Sequence, residues 1–182
     1  MSKEQNLDTN LILQATMFAA SKHQNQRRKD ASESPYINHP IALAHTLSTI
    51  GEVKDAHVIC AALLHDTIED TDTTSLELEQ AFGAKIASIV YEVSDDKTLT
   101  KQERKQLQID HAGHCSFEAK LVKLADKICN LRDILASPPT EWDTKRKVEY
   151  FDWAHQVVAQ LKGVNAKLEA EFNSLYLRRC EL

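Results

Sequence analysis

Residues 58–70 read VICAALLHDTIED. Residues 58–64 are an unbroken apolar run, which is followed directly by His65-Asp66 and then by Glu69-Asp70. A segment that is apolar on every side is typical of a buried helix. Such a helix does not end in an imidazole and a carboxylate unless another group offsets their desolvation, and a metal ion is the simplest such group. We therefore interpret His65 and Asp66 as metal ligands, with Glu69 and Asp70 on the same helix face.

The same pattern has a simpler interpretation, in which His65 is a core histidine bonded to its neighbour and Glu69-Asp70 is a solvated helix end. A second histidine, His39, precedes Pro40, which favours the first turn of a helix and disfavours helical geometry in the residue before it. His39 is therefore expected at a helix entrance. Asp126 lies in a polar stripe opposite an apolar one, and an exposed helix face explains such a stripe in most proteins.

Together, His39, His65-Asp66 and Asp126 resemble the ligands of the HD phosphohydrolase superfamily in type and order. The chain is similar, from about residue 11 to 168, to the hydrolase domain of the Rel/Spo alarmone enzymes. The segments that carry this resemblance are RRKD (27–30), PYINHP (35–40), AALLHDTIEDT (61–71), DDKTL (95–99) and LVKLADKICNLR (121–132), with Tyr150-Phe151 and Trp153-Ala154 extending it.

A length of 182 residues leaves room for one domain, residues 1–182 with a core from about 7 to 170, and none for synthetase or regulatory domains. The chain resembles the small, stand-alone alarmone hydrolases, which include the metazoan SpoT homologues. That resemblance implies a guanosine-3′,5′-bis(diphosphate) 3′-diphosphatase, which converts guanosine tetra- or pentaphosphate to GDP or GTP and pyrophosphate. It also implies one manganese ion per chain, held by His39, His65, Asp66 and Asp126.

The predicted mechanism assigns the catalytic carboxylates to Glu69 and Asp70. The ion would lower the pKa of a bound water and polarise the phosphoryl oxygen, while the two carboxylates orient that water and accept its proton. In this family the pair that matches Glu69-Asp70 marks hydrolytic competence. This interpretation predicts a working enzyme.

Basic and polar residues near these motifs are candidate substrate ligands. Arg28 and Lys29 match pocket residues of the alarmone hydrolases, although such a run is often an ordinary solvated surface. Lys97 is predicted to bind phosphate, Asn130 to position the nucleotide or a water, and Tyr150 to pack on base or sugar. A core hydrogen bond would explain Asn130 or Tyr150 equally well. Whether Lys101, Arg104 and Lys105 contribute stays open.

Composition limits the remaining classes. A net charge of −5 argues against a general nucleic-acid binder, and the four cysteines form no CxxC pair, which suits reduced thiols in the cytoplasm. We expect no signal peptide and no membrane span, while an oligomeric state cannot be deduced. Apolar residues recur at helical spacing in most segments, so the predicted fold is all-α, a single HD-type helical domain around a mononuclear metal site.

Two segments depart from the family pattern. His111, His114 and Cys115 lie close together like a small zinc site, but their spacing fits no regular motif, so a solvated helix end is preferred. The loop Ala31-Ser32-Glu33-Ser34 lacks the glycine that relatives often have there.

Three rival functions remain open at this point. One is another HD phosphohydrolase activity, such as removal of the ribose phosphate of NADPH. The others are a non-catalytic alarmone-binding sensor and a metal-free helical scaffold.

Overall fold

The computed structural model describes residues 3–182, with side chains from Asp8 onward. Within that range the chain forms α-helices, one short 3-10 helix at Arg178–Glu181 and an isolated β-bridge between Arg27 and Pro35, which confirms the all-α prediction. The helices are α1 Lys3–Lys22, α2 Asn38–Thr49, α3 Ala56–Leu64, α4 Thr67–Asp70, α5 Ser75–Phe82, α6 Ala84–Val93, α7 Lys101–Ala112, α8 Phe117–Ala136, α9 Thr144–Ala159 and α10 Ala166–Leu177. No helix in residues 3–182 is both long and apolar enough to cross a membrane.

Helix α3 lies at the centre of the core, as its apolar sequence predicts. All of its residues except His57 are buried, because α1, α2, α6 and α8 pack around it. Burial of each large aliphatic side chain contributes about 1.5–3 kcal/mol, so this surrounded helix fixes the position of whatever follows its last turn.

The expectation that His65-Asp66 and Glu69-Asp70 share one continuous helix is wrong. Helix α3 ends at Leu64, and the separate turn α4 begins at Thr67, whose hydroxyl donates to the Leu64 carbonyl at 2.7 Å. A threonine hydroxyl that bonds back to a carbonyl of the preceding turn competes with the backbone bonds of a helix and bends it, which favours the interruption seen here. His65 and Asp66 are therefore displayed on a bend.

His39 lies at the entrance of α2 as predicted, but inside the helix and not just before it. Asn38 and His39 are already helical, with Ile37 as the N-cap, so His39 is not held outside helical geometry by Pro40. Proline is tolerated here because the first N–H groups of a helix have no intrahelical acceptor. The N–H of His39, which has no acceptor within the helix, donates to the Tyr36 carbonyl at 3.0 Å.

Several helix ends agree with the sequence signals. Thr100 and Glu103 form a reciprocal capping box on α7, and Thr74 accepts from the Glu77 N–H at the start of α5. Gly83 ends α5 with a φ of +83°, a conformation that glycine adopts readily. Helix α8 ends at Ala136, two residues before Pro138-Pro139, because proline in a helix interior removes a backbone hydrogen bond.

Candidate metal centre and active site

Three helix-borne side chains converge beside the bend after α3. Ligand atoms of His39 on α2, His65 at the end of α3 and Asp126 on α8 all lie within 4.8 Å of one another. The His39 Nε2 is 3.2 Å and the His65 Nε2 4.0 Å from the same Asp126 oxygen, Oδ1. Both histidines are buried, so this nitrogen and oxygen set is shielded from bulk water.

The orientation of His65 fits a cation. Its Nδ1 lies 2.8 Å from the Ala62 carbonyl, which can only accept, so Nδ1 carries a proton and Nε2 faces the cluster. That buried Nε2 has no hydrogen-bond partner in the described chain, although Asp66 Oδ2 is 2.9 Å away. Burial lowers the pKa of His65, but the Asp66 and Asp126 carboxylates outweigh burial and raise it to about 9. The cluster therefore favours a positive charge at this point.

The fourth predicted ligand, Asp66, lies at the edge of the cluster and is not one of the three mutually close groups. Its Oδ2 accepts a 2.6 Å hydrogen bond from the Tyr36 hydroxyl, which is also 3.4 Å from Asp70 Oδ2. Burial and the Asp66 charge raise the pKa of Tyr36, so the hydroxyl stays protonated and donates. Tyr36 thus ties a candidate ligand to a candidate catalytic carboxylate.

Asp126 is held by its neighbours on α8. Its Oδ2 is 2.9 Å from the Lys127 Nζ, and its Oδ1 accepts from Asn130 Nδ2 at 2.6 Å. Burial would raise the pKa of Asp126, but Lys127 and His39 outweigh it and hold the pKa well below its ordinary value. Asn130 therefore orients the Asp126 carboxylate in this structure.

The carboxylates of Glu69 and Asp70 meet at Lys97. The Lys97 Nζ is 3.1 Å from Glu69 Oε1 and 2.7 Å from Asp70 Oδ1. The Oε2 atom of Glu69 accepts a hydrogen bond from the Asp95 N–H at 3.1 Å, and Arg104 Nη1 lies 3.5 Å from Oε1 of Glu69. Burial raises the pKa of Glu69, which makes its carboxylate a better proton acceptor.

Two connected cavities surround these groups. A smaller cavity of about 220 Å³ contains the metal-ligand candidates together with Glu69 and Asp70. A second, of about 580 Å³, is lined by every predicted substrate-binding residue: Arg28, Lys29, Lys97, Asn130 and Tyr150. Arg28 is oriented by a 2.6 Å ion pair with Asp133, and Tyr150 lies between Trp142 and Trp153, with ring centroids 5.5 and 5.2 Å away.

A third cavity, of about 850 Å³, shares Tyr150 with both of the others, Trp153 with the smaller one and Trp142 with the larger one. Lys101, Arg104 and Lys105 line it, together with Lys29, Lys145 and Arg146. Burial lowers the pKa of Lys101, and the positive charges of Arg146, Lys29 and Arg104 lower it further. The three residues whose contribution the sequence left open therefore belong to one crowded group of cations.

Two residues of this site have no role predicted from the sequence. Tyr36 contacts Asp66, and Lys127, which directly follows Asp126, forms an ion pair with it. The spacing of Tyr36, three residues before His39, was the available signal for its position.

The segment with His111, His114 and Cys115 does not form a ligand cluster. Among the described residues, only His39, His65 and Asp126 make a group that could hold an ion. The Cys115 thiol instead donates to the His111 carbonyl at 3.5 Å. The prediction of an ordinary helix end is consistent with this arrangement.

Comparison with known proteins agrees with this geometry. The HD domain family model matches residues 15–171. Guanosine-3′,5′-bis(diphosphate) 3′-pyrophosphohydrolase MESH1 of Danio rerio is 56% identical over 94% of this chain and 95% of its own length. The protein of the same name from Homo sapiens is 53% identical, over 92% of this chain and 94% of its own.

More distant and structural relatives extend the comparison. The bifunctional (p)ppGpp synthase/hydrolase SpoT of Escherichia coli is 36% identical over 92% of this chain, which corresponds to only 24% of that protein. A solved structure described as a metazoan ortholog of SpoT that hydrolyzes ppGpp superposes with a TM-score of 0.91 and 46% identity. It covers 94% of this chain and 97% of its own.

Proposed function

This chain belongs to the HD-domain family, in the group of the guanosine-3′,5′-bis(diphosphate) 3′-pyrophosphohydrolases, and we propose that it removes the 3′-pyrophosphate of guanosine tetra- and pentaphosphate. The products are GDP or GTP and pyrophosphate. One observation carries this proposal: the His39, His65 and Asp126 cluster shares a 220 Å³ cavity with Glu69 and Asp70. We assign the activity to one HD domain comprising residues 1–182, with a core from about 7 to 170.

His39, His65, Asp66 and Asp126 would hold one divalent ion, and manganese is the ion that the family relationship favours. A mixed imidazole and carboxylate donor set suits first-row divalent metals. This assignment of the ion is supported by the buried Nε2 of His65, which forms no hydrogen bond with the described residues and faces the carboxylates of Asp66 and Asp126. Such an ion supplies electrophilic activation of the phosphoryl group and of the attacking water.

Glu69 and Asp70 perform the proton transfer. A water in the smaller cavity attacks the phosphorus bonded to the ribose 3′-oxygen, and Glu69 accepts a proton from that water. The bond from phosphorus to the 3′-oxygen breaks, the proton passes to that ribose oxygen as it leaves, and the water oxygen stays on the phosphorus of the released pyrophosphate. Lys97, which contacts both carboxylates, orients Glu69 and Asp70 and neutralises charge beside the phosphate.

The larger cavity would hold the nucleoside. Arg28 and Lys29 supply cations at one wall, and Tyr150 supplies an aromatic face for base or sugar. Asn130, whose side chain is hydrogen-bonded to Asp126, positions the substrate beside that carboxylate. We further propose a cytoplasmic location, because the four cysteines are free thiols.

Product analysis tests this function. Protein stripped of metal and reloaded with manganese should convert guanosine tetraphosphate to GDP and pyrophosphate, and His39→Ala should lose both bound metal and turnover, while His114→Ala keeps both. Release of phosphate from NADPH, without cleavage of guanosine tetraphosphate, would favour the rival phosphatase. Binding without turnover would identify a sensor, and absence of metal binding would identify a scaffold.

A further inference from the structure

Lys123 on α8 is a buried lysine without a counter-ion. Its relative exposure is 8%, yet its side chain forms no hydrogen bond or salt bridge within the described chain. Lysine is rarely buried without a partner, because removing an ammonium from water is costly. Burial accordingly lowers the pKa of Lys123.

The acidic groups that face Lys123 are occupied by other donors. Both oxygens of Asp95 accept from Gln108, at 2.9 and 2.8 Å. Asp126 is bonded to Lys127 and Asn130, at 2.9 and 2.6 Å. Lys127, one turn along the helix, adds a second positive charge and lowers the pKa of Lys123 further. The described residues therefore give the Lys123 ammonium no direct ion-pair partner, although the charges of Asp95 and Asp126 act on it from a distance.

The position of Lys123 indicates which anion would compensate it. Lys123 lines the same 220 Å³ cavity as His39, His65 and Glu69. Lys123 and Lys127 are the lysines that line this cavity. The Lys127 ammonium is held by Asp126, so Lys123 is the one of these two whose donor group has no partner among the described residues. An ammonium at such a site is a compact charge that suits a phosphate oxygen.

We propose that the Lys123 ammonium binds an oxygen of the substrate's 3′-pyrophosphate and of the pyrophosphate product. This inference rests on the proposed function for the identity of the substrate. It assigns to Lys123 a direct contact with the pyrophosphoryl group that water attacks, next to the carboxylates that activate that water. In the ligand-free protein, the burial of this ammonium without a direct partner is unfavourable in free energy, and an anion bound at the site would offset it.

Lys123→Met tests this assignment, because methionine has a similar length and no charge. If Lys123 stabilises the fold, its replacement should lower the stability of the protein. If Lys123 instead serves to bind a ligand, its replacement should raise the stability of the ligand-free protein. We expect a higher Tm of the ligand-free variant, an unchanged manganese affinity, and a kcat/KM for guanosine tetraphosphate lower by about 10- to 10²-fold. Lys120→Met, on the same helix and outside all three cavities, is the matched control and should leave turnover unchanged.

A binding measurement keeps this inference separate from the proposed function. With manganese present, inorganic pyrophosphate should raise the Tm of the parent and of Lys120→Met, and raise that of Lys123→Met much less. Should the parent not cleave guanosine tetraphosphate while this difference persists, the proposed function fails and the anion site stands. An equal response to pyrophosphate in all three proteins overturns the inference. Failure of both Lys123→Met and Lys123→Gln to fold would also overturn it, since the lysine would then be required by the fold.

Discussion

Glu69 shows how the surroundings of one residue determine its chemistry. Its carboxylate is buried, which raises its pKa, but a backbone N–H and the Lys97 and Arg104 side chains keep it oriented. A carboxylate that is both fixed in place and more basic than usual is suited to accept a proton from water. Asp70 shares Lys97 but lies closer to Tyr36, so the two adjacent carboxylates have different environments.

Glu69→Gln should separate catalysis from binding. The amide keeps the size of the side chain but cannot accept the proton, so turnover should fall by about 10²–10⁴-fold. Manganese content and the affinity for guanosine tetraphosphate should persist, as measured by metal analysis and calorimetry. Because burial raises the pKa of Glu69, the acidic limb of the parent's pH–rate profile should lie above the ordinary value for a glutamate and be absent from the variant. Glu79→Gln, exposed on α5, is the control; parent-like turnover of Glu69→Gln would refute this role.

At the level of the helices, the sequence predicts the parts whose causes are local. The apolar run of α3 identifies a buried helix, and Thr100 with Glu103 identifies the start of α7. The interruption at His65-Asp66 was not predictable, because it depends on the Thr67 hydroxyl bonding back to Leu64. Burial of that short segment among α-helices favours this bond over a continued helix.

In the candidate site, too, features with local causes are predictable from the sequence and features that depend on distant contacts are not. Its ligand types and their order are readable from motifs, since histidine and aspartate are placed at recognisable helix positions. The contact of Tyr36 with Asp66 joins residues 30 positions apart, so no local pattern reveals it. Likewise, Lys123 precedes Asp126 by three residues, at the spacing of the polar stripe that an exposed helix face would explain, and only the packing around α8 shows that Lys123 is buried.

The loop between α1 and α2 carries a conformational cost that one substitution can remove. Glu33 has a φ of +47°, at the place where the sequence lacks the glycine expected from relatives. The surrounding turn is held by the Asp30 carboxylate, which accepts from the Ser32 and Ser34 N–H groups at 3.1 Å each. An L-residue in this left-handed region costs about 1–2 kcal/mol.

Glu33→Gly should therefore stabilise the protein. Glycine removes the steric cost but adds about 0.5–1 kcal/mol of backbone entropy to be lost on folding, so the net gain is about 0.5–1 kcal/mol. For a chain of this size, that corresponds to a rise in Tm of roughly 1–4 °C by calorimetry. Glu33→Ala keeps the Cβ atom and should show no gain; a variant with glycine that melts below the alanine variant would contradict the strain argument.

Across the whole molecule, charge is distributed unevenly. The chain has a net charge of −5, yet the 850 Å³ cavity beside the active site is lined by more cations than anions. Of the cations, Lys105 lies 4.9 Å from the Trp153 ring centre and Arg146 lies 4.6 Å from that of Trp142. Neither forms a salt bridge with any residue that the structure describes. An acidic surface with a cationic cavity guides a polyanion towards the cavity and repels it elsewhere.

Arg146→Ala should accordingly weaken substrate capture and leave the chemical step intact. Loss of one charged hydrogen bond, worth about 1.5 kcal/mol, predicts a KM for guanosine tetraphosphate raised roughly tenfold with little change in kcat. Because exposed charges are screened by salt, the KM of the parent should rise with ionic strength, and that of Arg146→Ala should rise less. Lys147→Ala is the matched control, since Lys147 adjoins Arg146 on α9 but does not line the cavity. If both variants show the parent's KM and the parent's salt dependence, the cationic cavity takes no part in binding the substrate.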